Sequence, residues 1–370
     1  MAFIEPSRSQ SRNALPPRHP RLPRRRSRNL LTFFSAYDSP SYTLQTFIPP
    51  YARDAYLAIR AFNVDVARVA DATSNPTVGS MRMQFWRDAV TKSLAGSPPK
   101  EPVAVLLSAA NESLQQRTDG KNKLSKAWLH KVIGAREQYL VNPQYADMDA
   151  LEAYAENTYS TLLYLTLQAL PMQSITADHV ASHIGKATGI ATVLRGLPLI
   201  AFPPPPNKHS NQSGFGSSLG GGIGRQGAVT LPLDVMASAG VREEDVFRQG
   251  ATAPGLKDAV FSVATRANDH LITAREMLKN LRAGQDVGHD FEHTGDEGHE
   301  YEMDHMGDMK AERQLHDVDR SFGVLLQAVP AALWLQRLEK VDFDIFDAQL
   351  RRTDWKLPWN AFWAFRRRKI

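Results

Sequence analysis

The stretch YARDAYLAIRAFNVDVARVADATSNPTVGSMRMQFWRDAV, residues 51–90, is the one whose reading decides the architecture. In its first half Tyr56, Ile59, Phe62, Val66 and Val69 recur at spacings of three and four, which predicts a helix with one apolar stripe. Asn75-Pro76 interrupts the pattern, because a proline disfavours helical backbone in the residue before it. Met83, Phe85, Trp86 and Val90 then carry the same spacing onto a second helix. The unit reads as a helical hairpin, with Trp86 and the Met81/Met83 pair expected in its buried seam.

The pattern continues outward. Helical spacing is found over 102–114 and 128–139, with Gly120 in the loop between them, and the next helix is expected to start from Asn142-Pro143 or Asp149. The strongest amphipathic stretch is 150–170, where Leu151, Tyr154, Thr158, Leu162, Leu165 and Ala169 share a side and Pro171 ends the run. Residues 313–338 read as another helix. No segment alternates as a half-buried strand does, so the fold class expected is all-α, one large helical domain over 39–370. With 370 residues there is ample chain for a large core, and 42% hydrophobic with 22% charged residues is a globular composition. There are no cysteines, which excludes disulfides, thiolate catalysis and cysteine-ligated metals.

The hairpin also carries a motif. Ala61-Phe-Asn-Val-x-x-Ala67-Arg68-x-x-Asp71, followed by Arg82-x-x-x-Trp86-Arg87, resembles the first signature of the squalene/phytoene synthase family. In that family the matching helix holds carboxylates one turn apart, which bind Mg2+ and through it the substrate diphosphate. Here Ala67 and Arg68 stand at two of the aspartate positions and only Asp71 remains. Residues 182–199, SHIGKATGIATVLRGLPL, resemble the second signature: Gly185, Ala187, Leu194 and Arg195 fit it. Gly189 stands where the family has glutamine, and Gly196 and Ile200 where it has aspartates. Thr230-Leu-Pro-Leu-Asp234 and the Gly-Val ending at Val241 resemble a third segment. The segments IRAFNV, MRMQFW, YAEN, LLYL, SHIGKA and VDFDIF further resemble a degenerate branch of the family whose members are assembly factors of respiratory complex I.

What the resemblance implies is a non-catalytic protein at the matrix side of the mitochondrial inner membrane, with complex I subunits or other assembly factors as partners and no cofactor. Arg68, Asp71, Arg82 and Arg195 are then vestigial motif positions. The alternative is use of the inherited cavity, in either of two forms. A prenyltransferase would need a makeshift Mg2+ cluster from Asp54, Asp65, Asp71 and Glu156, because a departing diphosphate needs its charge stabilised. A protein that only binds a prenyl lipid or diphosphate would have Arg68 and Arg195 contact phosphate directly. His179 and His183, at i and i+4, have the spacing to share a metal, but no third ligand accompanies them and they are expected to be structural.

The net charge of +5 is unevenly spread. Residues 1–31 hold eight arginines against Glu5, with serines and prolines, which reads as a mitochondrial presequence within 1–38; a disordered basic tail or a nucleic-acid arm has the same composition. Nucleic acid is not expected as a partner, since the basic residues gather at the two ends and not on a reader motif. Residues 202–227 (Pro203-Pro-Pro-Pro206, then Gly/Ser-rich) are expected as a disordered loop, or as a lid. Residues 285–308, with His289, His293, His299 and His305 among acids, are expected as a solvated insertion with at most weak metal binding. At the C-terminal end, WKLPWNAFWAFRRRKI sets Trp355, Trp359, Phe362, Trp363 and Phe365 beside Arg366, Arg367, Arg368 and Lys369. That composition suits either contact with an anionic membrane through Trp359, Trp363, Arg366, Arg367 and Arg368, or a helix docked on the body with its basic end in solvent.

Overall fold

The computed structural model describes residues 36–73, 75–172, 174–203, 227–284 and 306–370. The expected presequence, with both insertions and the lid and metal readings attached to them, falls almost wholly outside these residues. The second insertion is shorter than expected, since a helix already occupies 306–308. Of the described residues 76% are helical, and no strand occurs among them.

In chain order the helices are α1 (Ser39–Leu44), α2 (Pro50–Ala67), α3 (Val69–Ala72), α4 (Pro76–Leu94), α5 (Pro102–Arg117), α6 (Lys126–Gln138), α7 (Met148–Ala155), α8 (Thr161–Ala169) and α9 (Ile175–Ala201). They continue as α10 (Leu233–Ala239), α11 (Glu243–Gln249), α12 (Leu256–Arg282), α13 (Met306–Leu325), α14 (Ala328–Lys340) and α15 (Leu357–Arg367). Local chemistry sets the starts. Asn75 caps α4 by accepting from the Thr77 N–H at 2.8 Å, with Pro76 at the first position where no N–H is needed. Asp147 caps α7 by accepting from Ala150 N–H at 2.8 Å, so the helix starts between the two expected places.

The centre is α9, 27 residues long and roughly 40 Å at 1.5 Å per residue. It packs on α12, α7, α8, α13 and α14, and this explains why a helix long and apolar enough to cross a membrane is instead the buried core of the bundle. A second, smaller core lies between α2, α4, α5, α6 and α8. Three helices serve both: α2 gives Tyr56 to the larger core and Ile59, Phe62 and Val66 to the smaller, α6 gives Ala135 to the larger and Leu129, Val132 and Ile133 to the smaller, and α8 splits Leu163 and Leu167 from Leu162 and Leu165.

Three expectations need correction. The hairpin seam holds Met83, Trp86 and Val90, but Met81 and Phe85 face outward, 68% and 43% exposed. The 150–170 helix is broken by a π-turn at Glu156–Ser160, which adds a residue to one turn without disturbing the apolar side chains around it. The 313–338 helix is two helices, parted at Leu326-Gln327.

Candidate functional site

Two adjoining chambers open between α2 and α9. The first, about 190 Å³, is lined among others by Arg60, Asn63, Ala67, Arg68, Tyr159, Thr192, Arg195 and Gln327. The second, about 320 Å³, is lined among others by Ala67, Asp71, Arg136, Tyr145, Tyr154, Tyr159, Thr192, Gly196 and Ile200. Ala67, Tyr159 and Thr192 belong to both walls. The two degenerate signatures therefore face the same space from opposite helices, and all four positions at which carboxylates were expected line it: Ala67, Arg68, Gly196 and Ile200.

The charge of this space is inverted relative to a Mg2+ site. Arg60, Arg68, Arg136 and Arg195 line it, against Asp38 in the first chamber and Asp71 in the second. Arg60 is buried and donates to Ser41 Oγ and to Gln327 Oε1, with Asp38 Oδ2 3.6 Å from its Nε. Gln327 Nε2 donates to the Tyr56 hydroxyl at 2.9 Å, which donates to Ser41 O at 2.8 Å, and burial pushes the Tyr56 phenol up to about 12. The break between α13 and α14 is what places Gln327 here. Arg136 has no carboxylate partner among the described residues: it donates to the Tyr154 hydroxyl and, at 3.1 Å, to Asn63 Oδ1, and its Nε is buried without a partner there. Its guanidinium stands 5.4 Å from the ring centres of both Tyr154 and Tyr159. Burial alone would raise the Tyr159 phenol; Arg136, Thr192 and Arg195 outweigh it and hold the phenol below its ordinary value. Burial likewise would lower Arg136, but Tyr154 and Tyr159 outweigh that and keep its cation.

The π-turn that carries Tyr159 into this space rests on two glycines. A Cβ at Gly185 would lie 2.3 Å from Ser160 Cα, and one at Gly189 would lie 2.5 Å from Ala155 Cβ. The family glutamine at 189 is thus excluded by Ala155, whose Cβ and Cα would lie 2.5 and 2.8 Å from the added Cβ.

Mg2+ does not fit these residues. Among the candidates for a makeshift cluster only Asp71 lines a chamber. Asp54 is exposed, and Asp65 sits near Glu101, its carboxyl pushed up to about 6 by burial and then by Glu101. Glu156 accepts from Tyr164 Oη at 2.6 Å and Ser182 Oγ at 2.8 Å, outside both chambers. No group of three or more His, Asp or Glu side chains poised to hold a metal occurs among the described residues. Of the other predicted positions, Arg68 lies over the Tyr37 ring at 4.0 Å, Arg195 is an exposed wall residue, and Arg82 is exposed on α4 away from the chambers.

Beside the i, i+4 spacing of His179 and His183, the fold brings a histidine of α12 to His183. His183 Nδ1 lies 3.0 Å from His270 Nδ1, and His270 Nε2 lies 3.3 Å from Glu152 Oε2, which also takes the Arg266 guanidinium. Spacing along one helix could not reveal a partner 87 residues away. Neither Tyr159, Arg136 nor Gln327 was found by sequence; Tyr154 and YAEN, just before the π-turn, were the nearest signal.

At the other end of the chain, α15 docks through Leu357, Ala361 and Phe365, the last 5.2 Å from the Phe47 ring. Trp359, Phe362 and Trp363 face outward. Arg368 departs from the membrane-facing set: it caps α15 in the left-handed region at φ +52°, its Nε lies 3.8 Å from Asp319, and its guanidinium lies 4.3 Å from the Phe365 ring centre.

Comparison with known proteins accords with this geometry. The family model for squalene/phytoene synthase matches residues 34–200 and 221–361. Two relatives named NADH dehydrogenase (ubiquinone) complex I, assembly factor 6, are similar over most of their length. That from Mus musculus is 34% identical over 325 residues, 88% of this chain and 77% of its own. That from Homo sapiens is 32% identical over 321 residues, 87% of this chain and 76% of its own. Among solved structures, a dehydrosqualene synthase in complex with ligand superposes with TM-score 0.59 at 12% identity, covering 91% of this chain and 94% of its own. A squalene synthase from Alicyclobacillus acidocaldarius gives 0.55 at 12% identity, covering 87% and 97%. The fold, the order of the signatures and these matches agree: this chain belongs to the squalene/phytoene synthase family.

Proposed function

We propose that this protein is a non-catalytic assembly factor for respiratory complex I, working at the matrix side of the mitochondrial inner membrane. The observation that carries the assembly role is similarity along 88% of the chain to a relative named for it. Loss of synthase chemistry is supported by the cavity: ionising a prenyl diphosphate requires divalent ions held by carboxylates, and Ala67, Arg68, Gly196 and Ile200 stand where those carboxylates would be. The family bundle then serves as a scaffold whose partners are complex I subunits or other assembly factors. The test is a native gel stained for complex I activity, on mitochondria from cells lacking the protein. The complex I band is lost with the other complexes intact, and re-expression restores it. An intact band overturns the reading.

A second reading is favoured by one observation, the carboxylate-free Arg136 buried beside Arg60, Arg68 and Arg195. A buried cation calls for an anion, and arginine forks suit phosphate oxygens without a metal. In this reading the cavity holds a prenyl lipid or prenyl diphosphate without turning it over. Calorimetry with a prenyl diphosphate in the presence of a chelator measures binding that weakens about tenfold in Arg68→Ala. Equal affinity in the variant, or no binding in the parent chain, overturns it.

A further inference from the structure

We propose that the outward face of α15, with the cations that flank it, is a docking surface for an anionic phospholipid bilayer, on which the protein lies peripherally. The helix has two apolar faces, and only one is used by the fold. Leu357 and Ala361 are buried against the body, whereas Trp359, Phe362 and Trp363, at i, i+3 and i+4, are 65%, 45% and 49% exposed. Trp355, just before the helix, is 73% exposed. Three of the six tryptophans of the chain thus lie in one solvent-facing patch, a concentration that ordinary surfaces do not carry.

The charge around the patch chooses its occupant. Residues 351–370 hold seven Lys and Arg against Asp354 alone. Arg351, Arg352 and Lys356 are exposed before the aromatic stripe, and Arg366, Arg367 and Lys369 after it. Cations bracket the aromatics at both ends, and two lie against the rings: Lys356 Nζ 5.5 Å from the centre of Trp355, Arg367 5.1 Å from that of Trp363. A helix of 11 residues is roughly 16 Å long, too short to span a bilayer and suited to lie in its interface. Tryptophan rings seat at the headgroup level, and basic side chains meet the anionic phosphates beside them. The one arginine of the run with a carboxylate to pair with, Arg368, is turned inward, which leaves the rest of the cluster free of acidic partners in the described residues. A protein partner would be expected to meet an aromatic core with few lysines or like charges around it.

The experiment is flotation of the full chain with phosphatidylcholine vesicles, with and without phosphatidylglycerol. The expected result is binding to the anionic vesicles, weakened by salt. The double variant Trp359→Ser/Trp363→Ser and the double variant Arg366→Gln/Arg367→Gln each lower it about tenfold or more. The eight arginines of residues 1–31 also attract anionic lipid, so a second readout is needed that sees only this end. Residues 1–85 contain no tryptophan, Trp86 and Trp334 are buried, and Trp128 is half-buried against the Tyr164 ring. Trp128 and Trp355 remain in the tryptophan variant, so quenching of the parent chain's tryptophan fluorescence by brominated acyl chains that falls sharply in that variant reports α15. Flotation unchanged in both variants, or tryptophans unquenched on bound vesicles, overturns the proposal and assigns lipid binding to the basic leader. Absence of flotation with either vesicle overturns it too, leaving the face to a protein partner.

Discussion

Two of the places where an arginine lies against an aromatic ring contrast in burial. In the cavity Arg136 stands 5.4 Å from Tyr154 and Tyr159; on the surface Arg367 stands 5.1 Å from Trp363. Inside, the cation has lost its water, so each polar neighbour is committed to it and the Tyr159 phenol is held below its ordinary value by Arg136 together with Thr192 and Arg195. Outside, the guanidinium keeps its water and the pair costs the fold nothing, so it remains available to meet something else. An arginine beside an aromatic ring is a structural obligation in one setting and contact chemistry in the other.

The sharpest way to break that contrast is to remove a buried arginine. Arg60→Met leaves Asp38, Ser41 and Gln327 facing a thioether, and the loss expected is about 4 kcal/mol by denaturant unfolding. Replacing the partners as well, with Asp38→Asn and Gln327→Leu, recovers part of it, because the cost is that of unpaired groups and not of lost attraction. Arg367→Met outside stays within about 0.5 kcal/mol of the parent chain. If both arginines cost the same, burial is not what separates the two regions.

Next in size is the support of the cavity wall. Gly185→Val drives a side chain into Ser160 backbone 2.3 Å from the Cβ position, and about 3 kcal/mol is expected to be lost in thermal unfolding. Gly189→Gln, which restores the family residue, is expected to do similarly. Gly134→Ala in α6, where nothing lies within 4 Å of the added Cβ, is expected to stabilise by about 0.5 kcal/mol.

Those glycines also show how far the sequence could be read. The helical hairpin and the all-α class follow from apolar spacing, since period and burial are coupled along a helix, while the order of the signatures follows from the family resemblance. That Ala67, Arg68, Gly196 and Ile200 stand at the family's carboxylate positions was legible through the resemblance, and the fold brings them to one space. What periodicity does not carry is an added residue in a turn, so the π-turn that delivers Tyr159 was invisible. Gln327 was hidden for a related reason: a polar residue between two apolar runs reads as helix surface, yet the chain breaks there and buries it against Arg60. Arg136 carried no signal in the sequence, because the tyrosines that surround it come from a segment 18 to 23 residues further on.

A third prediction uses pH within the buried set. Glu152 is held down to about 2 from an ordinary 4.5: burial alone would raise it, but His270 and Arg266 more than offset this. A carboxylate with a depressed folded value stabilises the fold above its ordinary value, and that contribution is lost as pH falls from 4.5 toward 2. Glu152→Gln is therefore expected to cost about 2 kcal/mol at neutral pH and progressively less across that window, read by unfolding at a series of pH values. A constant difference between variant and parent down to pH 2 would reject the ion-pair assignment.

The smallest effect is expected where the aromatic content is largest. Trp359→Ser/Trp363→Ser removes two of the largest side chains in the chain, and in a core such truncations cost about 3 kcal/mol each. Here the rings are 65% and 49% exposed, while the contacts that hold α15 to the body are made from the opposite face by Leu357, Ala361 and Phe365. The double variant is expected to unfold within about 0.5 kcal/mol of the parent chain, since little apolar area leaves or enters water on folding at these positions. A loss of several kcal/mol would mean that the tryptophans serve the fold, and the surface pair would then belong to the same class as the buried one. Unchanged stability separates the two regions, because side chains this large that contribute nothing to folding leave their apolar surface for an encounter outside the chain.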